Sequence, residues 1–92
     1  MRNTNRLVLA IPLALAAGAV YADLKGTVES VDANARSFVV QGITVTTDER
    51  TEYEDGLSQF EDIQPNQQVE VDLEIQDGRH IAEEVELEEP RR

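Results

Sequence analysis

The clearest hydrophobic pattern in the chain is a strict alternation near its C-terminal end. Residues 69–75 read Val-Glu-Val-Asp-Leu-Glu-Ile. Side chains of a strand point alternately to two faces, so this segment is predicted to be a strand with one buried and one wet face. Asp77-Gly78 follows directly and is a strong signal for a hairpin turn. A last strand is therefore expected from Arg79 to about Glu88.

Two registers compete in this hairpin. A three-residue loop would place Leu73 opposite Ile81 and turn Glu83 toward the core, which costs several kcal/mol for an unpaired carboxylate. A two-residue loop would place Leu73 opposite Ala82, leave Ile81 outside and require a bulge at Glu83-Glu84. Because an exposed isoleucine forgoes only about 1.5–3 kcal/mol, the bulged register is predicted.

Shorter apolar runs precede this hairpin. Residues 24–31 are predicted to form the first strand, and the change of parity at Val31 indicates either a bulge near Glu29 or the end of the strand. Residues 37–41 and 43–47 are rich in β-branched residues and are separated only by Gly42. Runs joined this closely are typical of sequential antiparallel strands.

A different spacing appears between residues 57 and 63, where large apolar residues recur at every third position. Ser58 and Glu61 match a capping box, so a short helical turn covering one end of the sheet is predicted. Pro65-Asn66 then predicts a tight turn. The fold class that follows is all-β: a small five-stranded antiparallel barrel, oligonucleotide-binding-like, with one short helical turn.

The N-terminal segment has the three zones of a secretory signal. Arg2 and Arg6 precede an uncharged run over residues 7–20, and Ala22 provides a small residue for cleavage before Asp23. An uncleaved anchor is the alternative, but a membrane span needs about 20 apolar residues. The predicted organisation is a signal peptide over 1–22, an acidic domain over 23–89 and a frayed tail over 90–92. The protein is expected to be periplasmic or secreted, with no stable membrane anchor after cleavage.

Charge restricts the partners of the domain. Residues 23–92 contain all 19 acidic residues of the chain and only six basic ones, which gives a net charge of −13. Nucleic acids and anionic membranes need Lys and Arg to neutralise their phosphates, so neither is an expected partner. A surface covered by Asp and Glu, with Lys25 as the one lysine of the chain, is typical of a protein that meets high salt.

Short strand motifs follow one another in a characteristic order over residues 26–85. They are Gly26-Thr27-Val28 with Val31, Phe38-Val39-Val40, Gly42-Ile43-Thr44-Val45, Thr51-Glu52-Tyr53, Gln68-Val69-Glu70-Val71, and Asp77-Gly78-Arg79 with Ala82 and Val85. In this order the chain resembles the bacterial family called domain of unknown function 5666, although Pro65-Asn66 replaces the usual turn glycine before the fourth strand. The resemblance implies a small exported β-barrel module and no catalytic residues.

The sequence offers little for catalysis. There is no cysteine, and His80 is the one histidine, so nitrogen and sulfur ligands for a transition metal are missing. Ser30, Ser37 and Ser58 lie outside any Gly-x-Ser-x-Gly turn, and no glycine-rich phosphate loop is present. We therefore expect no enzyme activity, no catalytic residues and no cofactor.

Acidic residues are concentrated just before Gly56. They are Asp48, Glu49, Glu52, Glu54 and Asp55. Calcium takes six to eight oxygen ligands, and this spacing does not match an EF-hand loop. A solvated loop is the simpler interpretation, and these five residues are kept as the calcium candidates of an alternative hypothesis.

A second group of acids is expected to share one sheet face. Glu70, Asp72 and Glu74 should point outward beside Glu84 and Glu86, where they would repel one another. The leading functional hypothesis is a non-enzymatic exported β-barrel module that binds an envelope or extracellular component, namely a protein with a basic surface. The alternative is a low-affinity divalent-cation binder. The sequence does not specify an oligomeric state.

Overall fold

Six strands and one 3₁₀ turn make up the part of the chain that the computed structural model describes, residues 19–88. The strands are β1 (Val20–Asp32), β2 (Ser37–Val40), β3 (Ile43–Thr46), β4 (Glu52–Glu54), β5 (Gln68–Gln76) and β6 (Arg79–Leu87). The 3₁₀ turn, Phe60–Asp62, lies between β4 and β5. No helix among these residues is long and apolar enough to cross a membrane. The all-β prediction is confirmed.

Most of the predicted signal peptide and the predicted tail 90–92 lie outside the described residues. The last four residues of the signal, 19–22, are described, and β1 begins among them at Val20. The predicted cut between Ala22 and Asp23 therefore falls inside a strand of this structure.

Five of the strands close into a ring. The order of neighbours is β1, β2, β3, β6, β5 and back to β1. The long strand β1 makes this closure possible, because it pairs with β5 along its first part and with β2 along its last part. The prediction of a purely antiparallel sheet is wrong in one respect, since β3 runs parallel to β6. The intervening residues 47–78 provide the long crossover that a parallel pair requires.

Strand β4 is a sixth strand beyond the five predicted, in the acidic segment before Gly56 where a solvated loop was favoured although the family motif Thr51-Glu52-Tyr53 lies there. It also pairs in parallel with β6, through Glu52–Glu84, Tyr53–Val85 and Glu54–Glu86. Tyr53 packs half-buried against the core, whereas Glu52 and Glu54 are exposed. Glutamate is depleted in strands, and two of the three residues of β4 are glutamates. Residue propensities therefore do not predict this strand.

The β5–β6 hairpin has the predicted two-residue turn and bulge. Leu73 pairs with Ala82 and Asp72 with Glu84, so Glu83 is the extra residue. Ala82 is 1% exposed, while Ile81 is half-buried on the outer side. The bulge restores parity along β6 and thereby keeps the carboxylate of Glu83 out of the core.

Of the two explanations predicted for the parity change in β1, a bulge or the end of the strand, the structure shows the bulge at Glu29. Val28 pairs with Val40 and Ser30 with Val39, which leaves Glu29 without a partner across the β1–β2 ladder. The bulge bends β1 at the point where it leaves β5 and continues beside β2.

Apolar side chains from every strand and from the 3₁₀ segment fill the interior of the ring. The fully buried ones with the largest volumes are Phe38, Val28, Val40, Val45, Val69, Val71 and Val85. Leu57, Phe60 and Ile63, the residues of the three-residue period, are all buried in this core. The turn thus covers the sheet as predicted, although it is a single 3₁₀ turn.

The predicted capping box does not form. Gln59 occupies the N-cap position and makes no side-chain capping hydrogen bond. The backbone N–H of Ser58 instead donates to the Asp62 carboxylate at 2.8 Å, and Glu61 pairs with Arg36 at 3.1 Å. The turn begins too late in the chain for Ser58 to reach its first free N–H groups.

Candidate functional site

A group of carboxylates lies on the outer side of four neighbouring strands, β1, β5, β6 and β4. We call this surface the acidic face. Its members are Asp23, Glu52, Glu54, Glu70, Asp72, Glu74, Glu84 and Glu86. Cross-strand pairing fixes these side chains relative to one another, because directly opposed residues share a face of the sheet.

The acidic face is organised as two rows across the strands. The first row is Asp23, Asp72, Glu84 and Glu52, with one carboxylate from each strand. The second row is Lys25, Glu70, Glu86 and Glu54. Neighbouring strands lie about 4.8 Å apart, so each row is about 14 Å long. The first row holds four acids and no base.

Lys25 is the one cation within these two rows. Its Nζ lies 3.6 Å from a carboxylate oxygen of Glu88, and the lysine side chain remains 62% exposed. An exposed ion pair of this kind contributes about 0–1 kcal/mol, so Lys25 offsets only a small part of the repulsion in its row.

The crowding raises the pKa of Glu84 and Asp23 in the first row. A hydrogen bond with Glu54, followed by partial desolvation and a hydrogen bond with Asp72, raises the pKa of Glu84 from its ordinary 4.5 to about 7. A hydrogen bond with Asp72 and its negative charge raise the pKa of Asp23. A hydrogen bond between two carboxyl groups requires a proton on one of them, which is why these contacts raise the pKa of Glu84 and Asp23.

In the second row the pKa values of Glu70 and Glu86 are also raised. Desolvation raises the pKa of Glu86, and the negative charges of Asp55 and Glu70 raise it further. Desolvation raises the pKa of Glu70, although the charge of Lys25 acts in the opposite sense. The acidic face therefore carries more negative charge than its own bases compensate.

Three sets of carboxylates on or beside this face could approach a single cation. Within each set, oxygen atoms of different residues lie within 4.8 Å of one another. The sets are Asp23, Glu70 and Asp72; Glu54, Glu84 and Glu86; and Glu70, Glu86 and Glu88. Oxygen-only sets of this type suit hard cations such as calcium or magnesium.

A shallow groove of about 310 Å³ borders the first row. Asp48 and Arg50 form one wall, and Glu52, Asp72 and Glu84 contribute carboxylates to the rest. Arg50 is paired with Asp48 at 3.6 Å, so the groove has the same negative character as the face beside it.

The sequence pattern of the family described as "Domain of unknown function (DUF5666)" matches residues 25–86. The chain belongs to this family. The resemblance seen in the strand motifs is thereby confirmed, and the match covers both rows of the acidic face except Asp23.

Solved structures of CusF share the fold of this DUF5666 domain. Apo-CusF from Escherichia coli is 11% identical, with a TM-score of 0.66 over 86% of this chain and 100% of that chain. Ag(I)CusF is 10% identical, with a TM-score of 0.61 over 75% and 99%. A variant of Escherichia coli CusF with Cu(II) is 10% identical, with a TM-score of 0.62 over 75% and 92%. No significant match was found among curated proteins.

The five calcium candidates of the acidic stretch are dispersed in this DUF5666 domain. The Asp48 carboxylate accepts a hydrogen bond from the backbone N–H of Arg50 at 2.9 Å, and Glu49 is exposed beside it. Glu52 lies in the first row, and Glu54 joins Glu84 and Glu86 in one of the three sets. Asp55 has a positive φ of 55° in the turn after β4. The carboxylates that do converge come from different strands.

Sequence reasoning identified part of the acidic face and missed the rest. The outward positions of Glu70, Asp72, Glu84 and Glu86 follow from the alternation in β5 and β6. Asp23 and the strand β4 were not assigned to this face, because nothing local to β1 or β4 indicates its neighbour. Asp23 and Lys25 are charged and stand two residues apart in β1, so this alternation could have indicated that both lie on the outer face of the sheet.

Proposed function

We propose that this DUF5666 domain is a non-enzymatic exported module that binds a protein of the envelope or the extracellular space through its acidic face. The observation that carries the proposal is the first row, in which four strands each contribute a carboxylate without an intervening base. A protein with a basic surface is the partner whose charge complements this face.

The electrostatic repulsion within the rows favours a partner that carries several positive charges. Backbone pairing keeps these carboxylates on adjacent strands, so the folded domain retains part of their repulsion, which a positively charged partner would relieve. A row about 14 Å long matches several basic side chains of a protein surface better than it matches one small ion. Electrostatic attraction of this kind accelerates association and selects against acidic partners.

Export supports the choice of partner. The N-terminal segment has the three zones of a signal peptide, so we place the domain in the periplasm or outside the cell. Partners are therefore sought among envelope and extracellular proteins. The absence of cysteine and the single histidine of the chain support a binding role without catalysis.

The test is affinity capture from envelope extract, with Asp72→Asn/Glu84→Gln compared against wild type. The matched control is Glu29→Gln/Glu49→Gln, which removes the same charge from exposed positions outside the acidic face. We expect a basic protein to be retained by wild type and control and lost by the Asp72/Glu84 variant. Equal retention by all three proteins would refute the acidic face as the binding surface.

Divalent-cation binding is the second candidate, favoured by the three carboxylate sets. Two of the CusF structures that share this fold are those of Ag(I)CusF and of a variant with Cu(II). These two ions prefer sulfur and nitrogen ligands. This chain has no cysteine, one histidine, and a single methionine at position 1. Its own donors are carboxylate oxygens, so calcium is the cation to test.

Titration calorimetry with calcium and then magnesium tests this candidate. Glu86→Gln removes a ligand from two of the three sets, and Glu49→Gln is its matched control. Calcium binding at millimolar concentration or tighter, weakened by Glu86→Gln alone, would support a specific site. Identical responses to both cations in all proteins would indicate screening only.

A further inference from the structure

The predicted signal-peptidase cut removes part of the sheet. Before the cut, Val20 pairs with Ile75, Tyr21 with Glu74 and Ala22 with Leu73. Val20 and Tyr21 are 60% and 62% exposed, so their side chains add little to the core. Their contribution to the fold is chiefly the backbone pairing with the end of β5.

The direction of that pairing follows from a hydrogen bond farther along β1. Val28 donates its N–H to the carbonyl of Gln67 at 2.8 Å, and its own carbonyl accepts from Asn66 at 2.8 Å. The β1–β5 register is continuous from Val20 to Thr27, so every second residue back from Val28 points its backbone toward β5. Val20 and Ala22 are two of these residues.

Processing would therefore expose backbone groups on one side of β5. Leu73 and Ile75 would each lose the partner of their N–H and C=O groups. On its other side β5 stays paired with β6, through Leu73–Ala82 and Ile75–His80. An open strand edge held in place by its other neighbour is a template for the addition of a strand.

We propose that cleavage after Ala22 creates a docking edge at Leu73–Ile75, and that an extended basic segment of the partner protein adds there as a strand antiparallel to β5. This inference rests on the proposed function and specifies how the partner binds. Residues 20–22 themselves show that a strand fits in this place.

The positions vacated by the signal peptide define the recognised segment. The residue in the place of Tyr21 lies opposite Glu74 on the side of the acidic face, so a lysine or arginine is favoured there. The residue in the place of Ala22 lies opposite the buried Leu73 and should be small and apolar. The residue in the place of Val20 should be apolar, to cover Ile75.

Charge argues against a second copy of the domain as the occupant. If two Leu73–Ile75 edges paired antiparallel about Glu74, Glu74 of each copy would lie opposite Glu74 of the other. If they paired about Leu73, Glu74 would lie opposite Asp72 of the other copy. Like charges directly opposed on neighbouring strands are destabilising. A basic segment of another protein avoids this repulsion.

The test uses the processed protein, residues 23–92, and a chain that begins at Val20. Mass spectrometry of the exported protein first establishes the N-terminus, and a mature form that retains Val20–Ala22 would overturn the inference. The probe is the capped hexapeptide Lys-Val-Lys-Val-Lys-Ala, whose last three residues match the vacated positions. Its control is Lys-Pro-Lys-Pro-Lys-Ala, which has the same charge but lacks the N–H that the residue in the place of Val20 would donate to β5.

Amide NMR shifts should report binding of the first peptide at Leu73–Gln76. Binding should be at least about tenfold weaker for the chain beginning at Val20, because its own strand competes intramolecularly. The proline peptide should bind at least about tenfold more weakly than the first peptide. Glu74→Lys should reduce binding of the lysine peptide and improve binding of its glutamate counterpart, Glu-Val-Glu-Val-Glu-Ala.

The outcomes separate this inference from the proposed function. Equal binding of the proline peptide, or shifts confined to β4 and β6, would overturn strand addition while the acidic face remained a surface for basic partners. Equal affinity of the two chains would also overturn it. Failure of every basic peptide to bind would count against both.

Discussion

Replacement of Glu84 by glutamine should stabilise the domain above neutral pH and leave its stability unchanged below pH 4.5. Glu84 lies in the middle of the first row, directly opposite Asp72 on β5 and Glu52 on β4. Its hydrogen bond with Glu54 and its partial desolvation raise its pKa from 4.5 to about 7. Glutamine keeps the shape and the hydrogen-bonding groups but removes the charge.

The sign follows from proton linkage. The folded state binds the proton of Glu84 more tightly than the unfolded state, because the folded pKa is about 7 and the unfolded one is close to 4.5. The contribution of Glu84 to stability is therefore fully present below pH 4.5 and is lost as the pH rises through about 7. Glu84→Gln has no such proton to lose and should not show this part of the pH dependence.

The magnitude is modest because the face is in contact with water. A pair of like charges on neighbouring strands changes stability by about 0.2–1 kcal/mol, and solvent screening keeps an exposed pair at about 0.5 kcal/mol. The charges that act on Glu84 are those of Glu54 and Asp72, so relief of the repulsion should amount to about 1 kcal/mol at low salt. In a domain of this size that is about 4–8 °C in Tm.

Thermal unfolding from pH 4 to pH 8.5 in low-salt buffer is the assay, followed by the same series in 1 M NaCl. Glu49→Gln, an exposed carboxylate outside the rows, serves as the control. The gain for Glu84→Gln should grow from pH 4.5 to about 7, persist at higher pH and shrink in high salt. A variant no more stable than wild type at pH 8, or an equal gain for the control, would refute the reasoning.

Three further predictions follow from the same structure. The processed domain should melt at a higher temperature in 1 M NaCl than in 20 mM buffer, because salt shortens the Debye length from about 10 Å at 0.1 M to 3 Å at 1 M; a flat or falling Tm would contradict a strained acidic face. Thr51→Val should lower the free energy of unfolding by about 1–3 kcal/mol in urea titrations, because the buried Thr51 hydroxyl donates to the Ala82 carbonyl at 2.7 Å, whereas Thr51→Ser should keep most of the stability. Gly26→Ala should cost about 1–3 kcal/mol in the same titrations, since its Cβ would lie 2.9 Å from Cγ1 of the buried Val40; unchanged stability would show that β1 and β2 can separate there.

Much of the local structure was predictable because it depends on short-range patterns. The alternation over residues 69–75 identified β5 and its outward acids, and the cost of burying Glu83 selected the correct hairpin register. The parity change near Glu29 located the bulge that bends β1. Each of these conclusions compares side chains a few residues apart, where the period of a strand leaves few alternatives.

The helical segment shows where local patterns mislead. The three-residue period identified the buried side chains, but the capping motif at Ser58 was not used. The burial of Phe60 and Ile63 against the core determined where the turn begins, so tertiary packing overrode the local capping preference.

The sequence by itself determined the all-β composition, the acid-rich surface, the hairpin register and the family motifs, because these depend on residue type and on the two-residue period of strands. Only the tertiary structure decided that β1 lies beside β5 and that β4 lies beside β6. Those pairings bring Asp23, Glu52 and Glu54 into the rows of the acidic face and make the end of β1 the cover of Leu73 and Ile75. The residues of a short strand do not indicate which distant strand it pairs with. That pairing is decided when the whole ring closes around one core.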